Sequence, residues 1–233
     1  MVRNSFRLII LVGLLVIFST LVWSFNGNNE LNSLAQFYTQ QENIEAVNAA
    51  NLVSAVVVTY RGFDTLGEVT ILFLTASIIG FFLKKKLSDT QRKEVRESSD
   101  ILVTASKILV PVMILFGVYV IINGHLTPGG GFQGGAIIAS AMVLALLANP
   151  HMKFNHQLFN VLESISGVSF VLMGIAGIVY AGGFLDNRIL PGGEVGTLIS
   201  AGAIPLIYIF IGLKVGSELS NIVGNLQVTQ NEQ

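Results

Sequence analysis

The chain has 233 residues, of which 52% are hydrophobic and only 12% charged, with a net charge of −1. A mean hydropathy of +0.69 fits an integral membrane protein better than a soluble domain, and the balanced charge offers no electrostatic footprint for nucleic acid. Cysteine is absent, which excludes disulfides, iron–sulfur clusters and thiolate metal sites within this chain.

A membrane span needs about 20 apolar residues, or slightly fewer with local thinning. In chain order, Leu8–Trp23, Leu66–Leu83, Ile101–Ile122, Gly131–Leu147 and Leu158–Tyr180 qualify, and Val195–Leu213 joins them if Pro205 is tolerated as a kink. The first follows Arg3 and Arg7 in the manner of a signal peptide. Thr20–Asn28 has no convincing small-residue cleavage pattern, so the stretch is expected to be a retained helix. Ala46–Tyr60 is also apolar. Basic residues near span ends mark the cytoplasmic side, and a seventh span here would put Lys84-Lys85-Lys86 outside. It therefore reads as a short helix on the outer side. The expected fold is an all-α, multi-pass protein of the cell (inner) membrane with about six transmembrane helices, seven being the alternative.

The same rule places Arg3 and Arg7, the linker 84–100, the loop 148–157 and the tail after Lys214 inside. Segments 25–46, 123–130 and 181–194 fall outside. The charged linker divides the chain into a two-span module, 1–83, and a four-span module, 101–233. Within the second, Leu126-Thr127-Pro128-Gly129-Gly130 is echoed by Ile189-Leu190-Pro191-Gly192-Gly193, each expected to precede a helix. Gly131 with Gly135, and Gly192 with Gly196, read as small-residue faces for close helix packing. Gly129-x-Gly131-x-x-Gly134 matches a dinucleotide fingerprint, but neither a preceding strand nor a following acid supports it.

Two motifs carry a resemblance. The stretch from about Ser106 to Leu147, through Leu109-Val110-Pro111, Gly124-His125 and Pro128-Gly129-Gly130-Gly131-Phe132 to Gly134-Gly135, resembles the B subunit of Mnh/Mrp-type multisubunit sodium/proton antiporters. Asn51 to Glu68, with Arg61-Gly62-Phe63-Asp64-Thr65 and Gly67-Glu68, resembles the C-terminal segment of the A subunit. A similar segment forms a separate small subunit of membrane-bound hydrogenases. Thr59 replaces the usual acidic residue before the aromatic, so no role for that carboxylate is carried over. Together the two resemblances suggest a fusion of neighbouring subunits.

Five residues are candidates for an ion path. Asp64 and Glu68 lie four apart on one helical face with Arg61 a turn earlier; they suit a proton or sodium station, or simply a charged helix start. An unperturbed histidine titrates near neutrality, so His125 suits a proton relay, or a hydrogen bond to the glycine hinge. Glu163 lies within a span, as a buried relay or an interfacial side chain. Lys107 reads as a snorkelling side chain, and Asp186 and Glu194 as solvated or as an entrance for cations. The resemblance implies a non-catalytic subunit of a Mrp-type cation/proton antiporter, with other membrane subunits and the bilayer as partners. No cofactor is expected in this chain, only Na⁺ or H⁺ as transported ions. The alternatives are the ion-pumping membrane arm of a redox-driven complex such as a membrane-bound hydrogenase, and a purely structural packing subunit.

Overall fold

The computed structural model describes residues 2–24, 31–40, 46–86, 97–152 and 154–231. Most of the charged linker lies outside them. Two units are present. The first, ending at Gln40, contains α1 (Val2–Ser24) and the short α2 (Ser33–Thr39), whose Asn32 side chain accepts the Ala35 N–H at 2.7 Å.

The second unit, from Gln41, begins with α3 (Leu52–Ala55), which widens into a π-turn over Val56–Tyr60. Arg61 N–H closes that turn on Val56 O at 2.9 Å, and the Thr65 hydroxyl takes up the Val57 carbonyl at 2.8 Å. Long helices follow: α4 (Gly62–Lys86), α5 (Asp100–Ile122), α6 (Gly131–Ala148), α7 (His156–Ala181) and α8 (Ile204–Asn231). With α1, six helices among the described residues are long and apolar enough to cross a membrane. The segment 46–60 is not among them. It is a short helical elbow with Val47, Ala49, Ala55 and Val58 buried.

Local sequence explains the helix starts. The Ser99 hydroxyl accepts Leu102 N–H at 3.3 Å at the head of α5, and the Asn155 amide accepts Leu158 N–H at 3.1 Å at the head of α7. Gly182, at φ 88°, closes α7. The last span differs from expectation: it begins at Ile204 rather than Val195 and runs well past Leu213. Pro205 therefore sits in its first turn, where a missing N–H leaves nothing unpaired, and kinks nothing. Residues 191–203 are irregular, with Gly193, Gly196, Ala201 and Gly202 at positive φ. Gly192 and Gly196 are thus loop residues, not a helix-packing face, and the second Pro-Gly-Gly does not lead directly into a helix.

The centre of the bundle is α8, with 61% of its apolar window buried. It packs against α4, α6 and α7, while α5 packs mainly on α6. Small residues bring these axes together. An added Cβ would meet Ile211 Cβ 2.6 Å from Gly131, Gly212 O 2.9 Å from Gly135 and Gly117 O 2.6 Å from Gly134. Because α4 docks on α8, residues on both sides of the charged linker share one compact unit.

Candidate functional site

At one end of the bundle three irregular segments are tied together by amide side chains. Asn51 receives the region after α5: its side chain donates to Gly124 O and Thr127 O, both at 2.9 Å, and its N–H donates to His125 O at 2.9 Å. Asn48 donates to Gly192 O at 2.9 Å, and Asn187 to Val47 O at 2.9 Å. The Ser54 hydroxyl also donates to Gly124 O. The glycine hinge is narrow because the Tyr208 ring would lie 2.9 Å from a Cβ on Gly124 and 3.1 Å from one on Gly130. His125 is fully buried and its Nε2 meets Thr197 O at 3.3 Å. Burial holds its pKa below the usual histidine value, against backbone hydrogen bonds that act in the opposite direction. Asp186 is also buried rather than solvated. Burial raises its pKa, but the Arg188 guanidinium, 2.9 Å from Oδ1, outweighs this and holds the carboxyl below its ordinary value.

At the start of α4, Arg61 Nε donates to Asp64 Oδ2 at 2.6 Å, and both side chains are more than half exposed. Glu68 is exposed one turn further on, beside Gln133, Thr75 and Phe132 in a cleft of ≈620 Å³ between α4, α6 and α8. The sequence grouping of Arg61, Asp64 and Glu68 thus resolves into an ion pair and a separate carboxylate.

The densest buried charge lies elsewhere. Lys214 on α8 is 3.7 Å from Glu163 Oε1 on α7 and 3.5 Å from Glu218 Oε2 one turn along α8. Their side chains are 9%, 16% and 0% exposed respectively. The Lys214 stem lies on Gly167, whose added Cβ would be 3.3 Å from Lys214 Cδ, and the ammonium sits 4.9 Å from the Phe73 ring centre on α4. Asn221 donates to Asn160 Oδ1 at 2.9 Å and to Glu163 Oε2 at 3.3 Å. Glu163 is about 10 Å along α7 from its first residue, by the rise per residue. Glu163, Lys214 and Glu218 all lie on helices long and apolar enough to cross a membrane, and ionised side chains within such helices are rare and usually functional.

Glu163 was legible from sequence as an in-span carboxylate. Lys214, Glu218 and Asn221 were missed because Lys214 reads as the start of a tail. The available signal was their spacing: positions 214, 218 and 221 share a helical stripe, flanked by Gly212, Gly216, Ser217 and Ser220. Among the described residues, no three His, Cys, Asp or Glu side chains converge as a metal site.

Such a fold, a helical bundle with six candidate spans among the described residues, defines a multi-pass membrane subunit. The chain belongs to the family described as domain related to the MnhB subunit of Na⁺/H⁺ antiporter, whose model matches residues 101–221. A second family model, MbhE of the MBH complex, matches residues 2–95. The uncharacterized protein MJ1307 of Methanocaldococcus jannaschii is 34% identical over 73% of this chain and 74% of its own. A putative antiporter subunit mnhB2 of Staphylococcus aureus is 40% identical over 36% of this chain, which spans 55% of that subunit. Among solved structures, a chain of the membrane-bound sulfane sulfur reductase, an archaeal respiratory membrane complex, superposes with a TM-score of 0.81 at 36% identity, covering 97% of this chain and 98% of that one. A chain of the Mrp complex from Dietzia sp. DQ12-45-1b shares the fold, with a TM-score of 0.77 and 22% identity over 96% of this chain and 26% of that one.

Proposed function

We propose that this chain is a non-catalytic membrane subunit through which a Mrp-type module moves Na⁺ or H⁺, with Glu163, Lys214 and Glu218 as a charge station. The observation that carries the reading is that these three largely buried groups lie within 4 Å contacts on two helices long and apolar enough to cross a membrane. Residues 46–60, 123–130 and 182–203 form the outer end, as the positions of the basic clusters require. The chain supplies too few buried charges for a complete path, so neighbouring subunits supply the rest. The purified, assembled complex is reconstituted in liposomes and its ion exchange compared with Glu163→Gln and Glu218→Gln assemblies. Loss of exchange with assembly intact supports the station, and unchanged exchange refutes it.

One observation favours the redox-driven setting over a stand-alone antiporter. The match to a respiratory-complex chain runs the full length at 36% identity, whereas the antiporter subunit matches over a third of this chain. Co-purification with iron–sulfur or nickel-containing partners supports that setting; a complete complex free of both opposes it.

A further inference from the structure

Three other carboxylates on the long helices have a countercharge within the chain: Lys214 lies 3.7 Å from Glu163 and 3.5 Å from Glu218, and Arg61 serves Asp64. Glu68 has none. Among the described residues no ion pair or hydrogen bond reaches it. It nevertheless lies within Gly62–Leu83, a stretch apolar enough to cross a membrane. A carboxylate left facing hydrocarbon is unfavourable, so such groups ordinarily meet a partner.

Glu68, Ile71, Leu72 and Thr75 follow one another at helical spacing and form one face of α4. That face lines the ≈620 Å³ cleft together with Phe132 and Gln133 of α6 and Val215 of α8. The Thr75 hydroxyl is already engaged, donating to Ile71 O at 2.8 Å. Gln133 is exposed, and its side chain has no hydrogen-bond partner among the described residues. Ile71 is 67% exposed. The cleft is therefore an apolar trough that holds one unmatched carboxylate and one unmatched amide.

We infer that this cleft seats a transmembrane helix of another subunit, which presents a lysine or arginine side chain to Glu68. Within a bilayer a helix satisfies its own backbone N–H and C=O groups, which an extended segment laid in the cleft does not. A basic side chain complements a lone carboxylate, and the Gln133 amide oxygen offers it a second acceptor. The apolar walls receive the flanking side chains of the same helix, so the charge pair fixes register while the surrounding contacts exclude water. A second copy docked through a two-fold contact would instead bring two Glu68 carboxylates together, which repel. The inference is independent of the charge-station reading, since Glu163, Lys214 and Glu218 are not among the residues lining this cleft.

The test places a benzophenone side chain at Ile71 in the assembled complex and identifies the peptide captured on irradiation. The expected product joins Ile71 to a different subunit, within an apolar run of about 20 residues that carries a lysine or arginine. Capture of lipid alone, of a second copy of this chain, or of a segment with no basic residue overturns the inference, and so does no capture. In a second arm, Glu68→Lys is expected to lower retention of the captured subunit in the purified complex about tenfold or more, and replacing the captured basic residue with Glu to restore it. Because Glu68 is exposed, the melting midpoint of the isolated variant chain is expected to match wild type. Should Glu68→Lys fail to fold, Glu68→Gln replaces it, with Gln also at the captured basic position; the double variant should retain the subunit better than Glu68→Gln alone. Unchanged retention in the single variant, or a loss that the partner change does not recover, refutes the pairing.

Discussion

Replacing Lys214 with Met keeps most of the stem that lies on Gly167 and beneath Phe73 while deleting the charge. At 3.5 and 3.7 Å, with an effective dielectric constant of about 20, each carboxylate attracts the ammonium by about 4.5 kcal/mol. Desolvation of the three groups offsets much of that attraction while all are present. Once Lys214 is gone, the two carboxylates keep the desolvation and lose the compensation. Breaking a buried pair in this way is expected to destabilise the subunit by about 3–5 kcal/mol. For a unit of this size that corresponds to a fall of roughly 6–20 °C in midpoint, read as the fraction of assembled complex surviving graded heating. Adding Glu218→Gln to Lys214→Met removes one stranded charge and should recover more than half of the loss, a non-additivity that a simple packing defect does not produce. A Lys214→Met complex that melts within about 1 °C of wild type would refute the burial and coupling argued for these three groups.

Glu68 is exposed in the isolated chain and lines the α4–α6–α8 cleft, so Glu68→Gln should change stability by less than about 0.5 kcal/mol. If Glu68 belongs to an ion path completed by a partner, the same variant should sharply lower ion exchange and Glu68→Asp should retain part of it; normal exchange removes it from the path. Gly134→Ala places a methyl 2.6 Å from the Gly117 carbonyl, a backbone atom that cannot rotate away. It should destabilise by about 1–3 kcal/mol, whereas Gly67→Ala, with nothing within 4 Å, should stabilise by up to about 1 kcal/mol. Equal midpoints for these two variants would contradict the packing described. His125 has a depressed folded-state pKa, so as pH falls below about 6.5 the unfolded chain gains a proton that the folded chain refuses. Stability should therefore decline with acidification below that value until the folded pKa is passed, and His125→Gln should flatten this limb in pH-dependent melting.

The heads of α5 and α6 were legible in the sequence. The apolar runs expected from Ile101 and Gly131 begin within one residue of these helices. Composition misled at the last span. Val195, Leu198 and Ile199 raise the hydropathy there, yet they belong to a loop held by Asn48 on Gly192 O and by Ala203 N–H on Asn187 O. Those bonds join residues far apart in sequence, and no local pattern encodes them. The same shift hid the charge cluster. A lysine after an apolar run ordinarily marks a membrane boundary; here its partner is Glu163 on another helix. Arg61 and Asp64 were legible as a pair because their contact is local, three residues apart across the start of α4.

The cluster also bears on how the two halves of the chain relate. Glu163, Lys214, Glu218 and Asn221 all lie within the segment matched by the MnhB-related model, 101–221. Phe73, which covers Lys214, and Ser77, which lines a cavity together with Glu163 and Asn221, come from the segment matched by the MbhE model, 2–95. The apolar wall over the ammonium is therefore contributed by α4 and the charges by α7 and α8. Screening of these charges from lipid depends on α4 being seated on α8, since a phenyl face stabilises an ammonium most when water is excluded. A covalent linker between the halves raises the effective concentration of α4 beside α8. Fusion thus favours a closed, desolvated cluster at every stage at which the rest of the complex is still assembling.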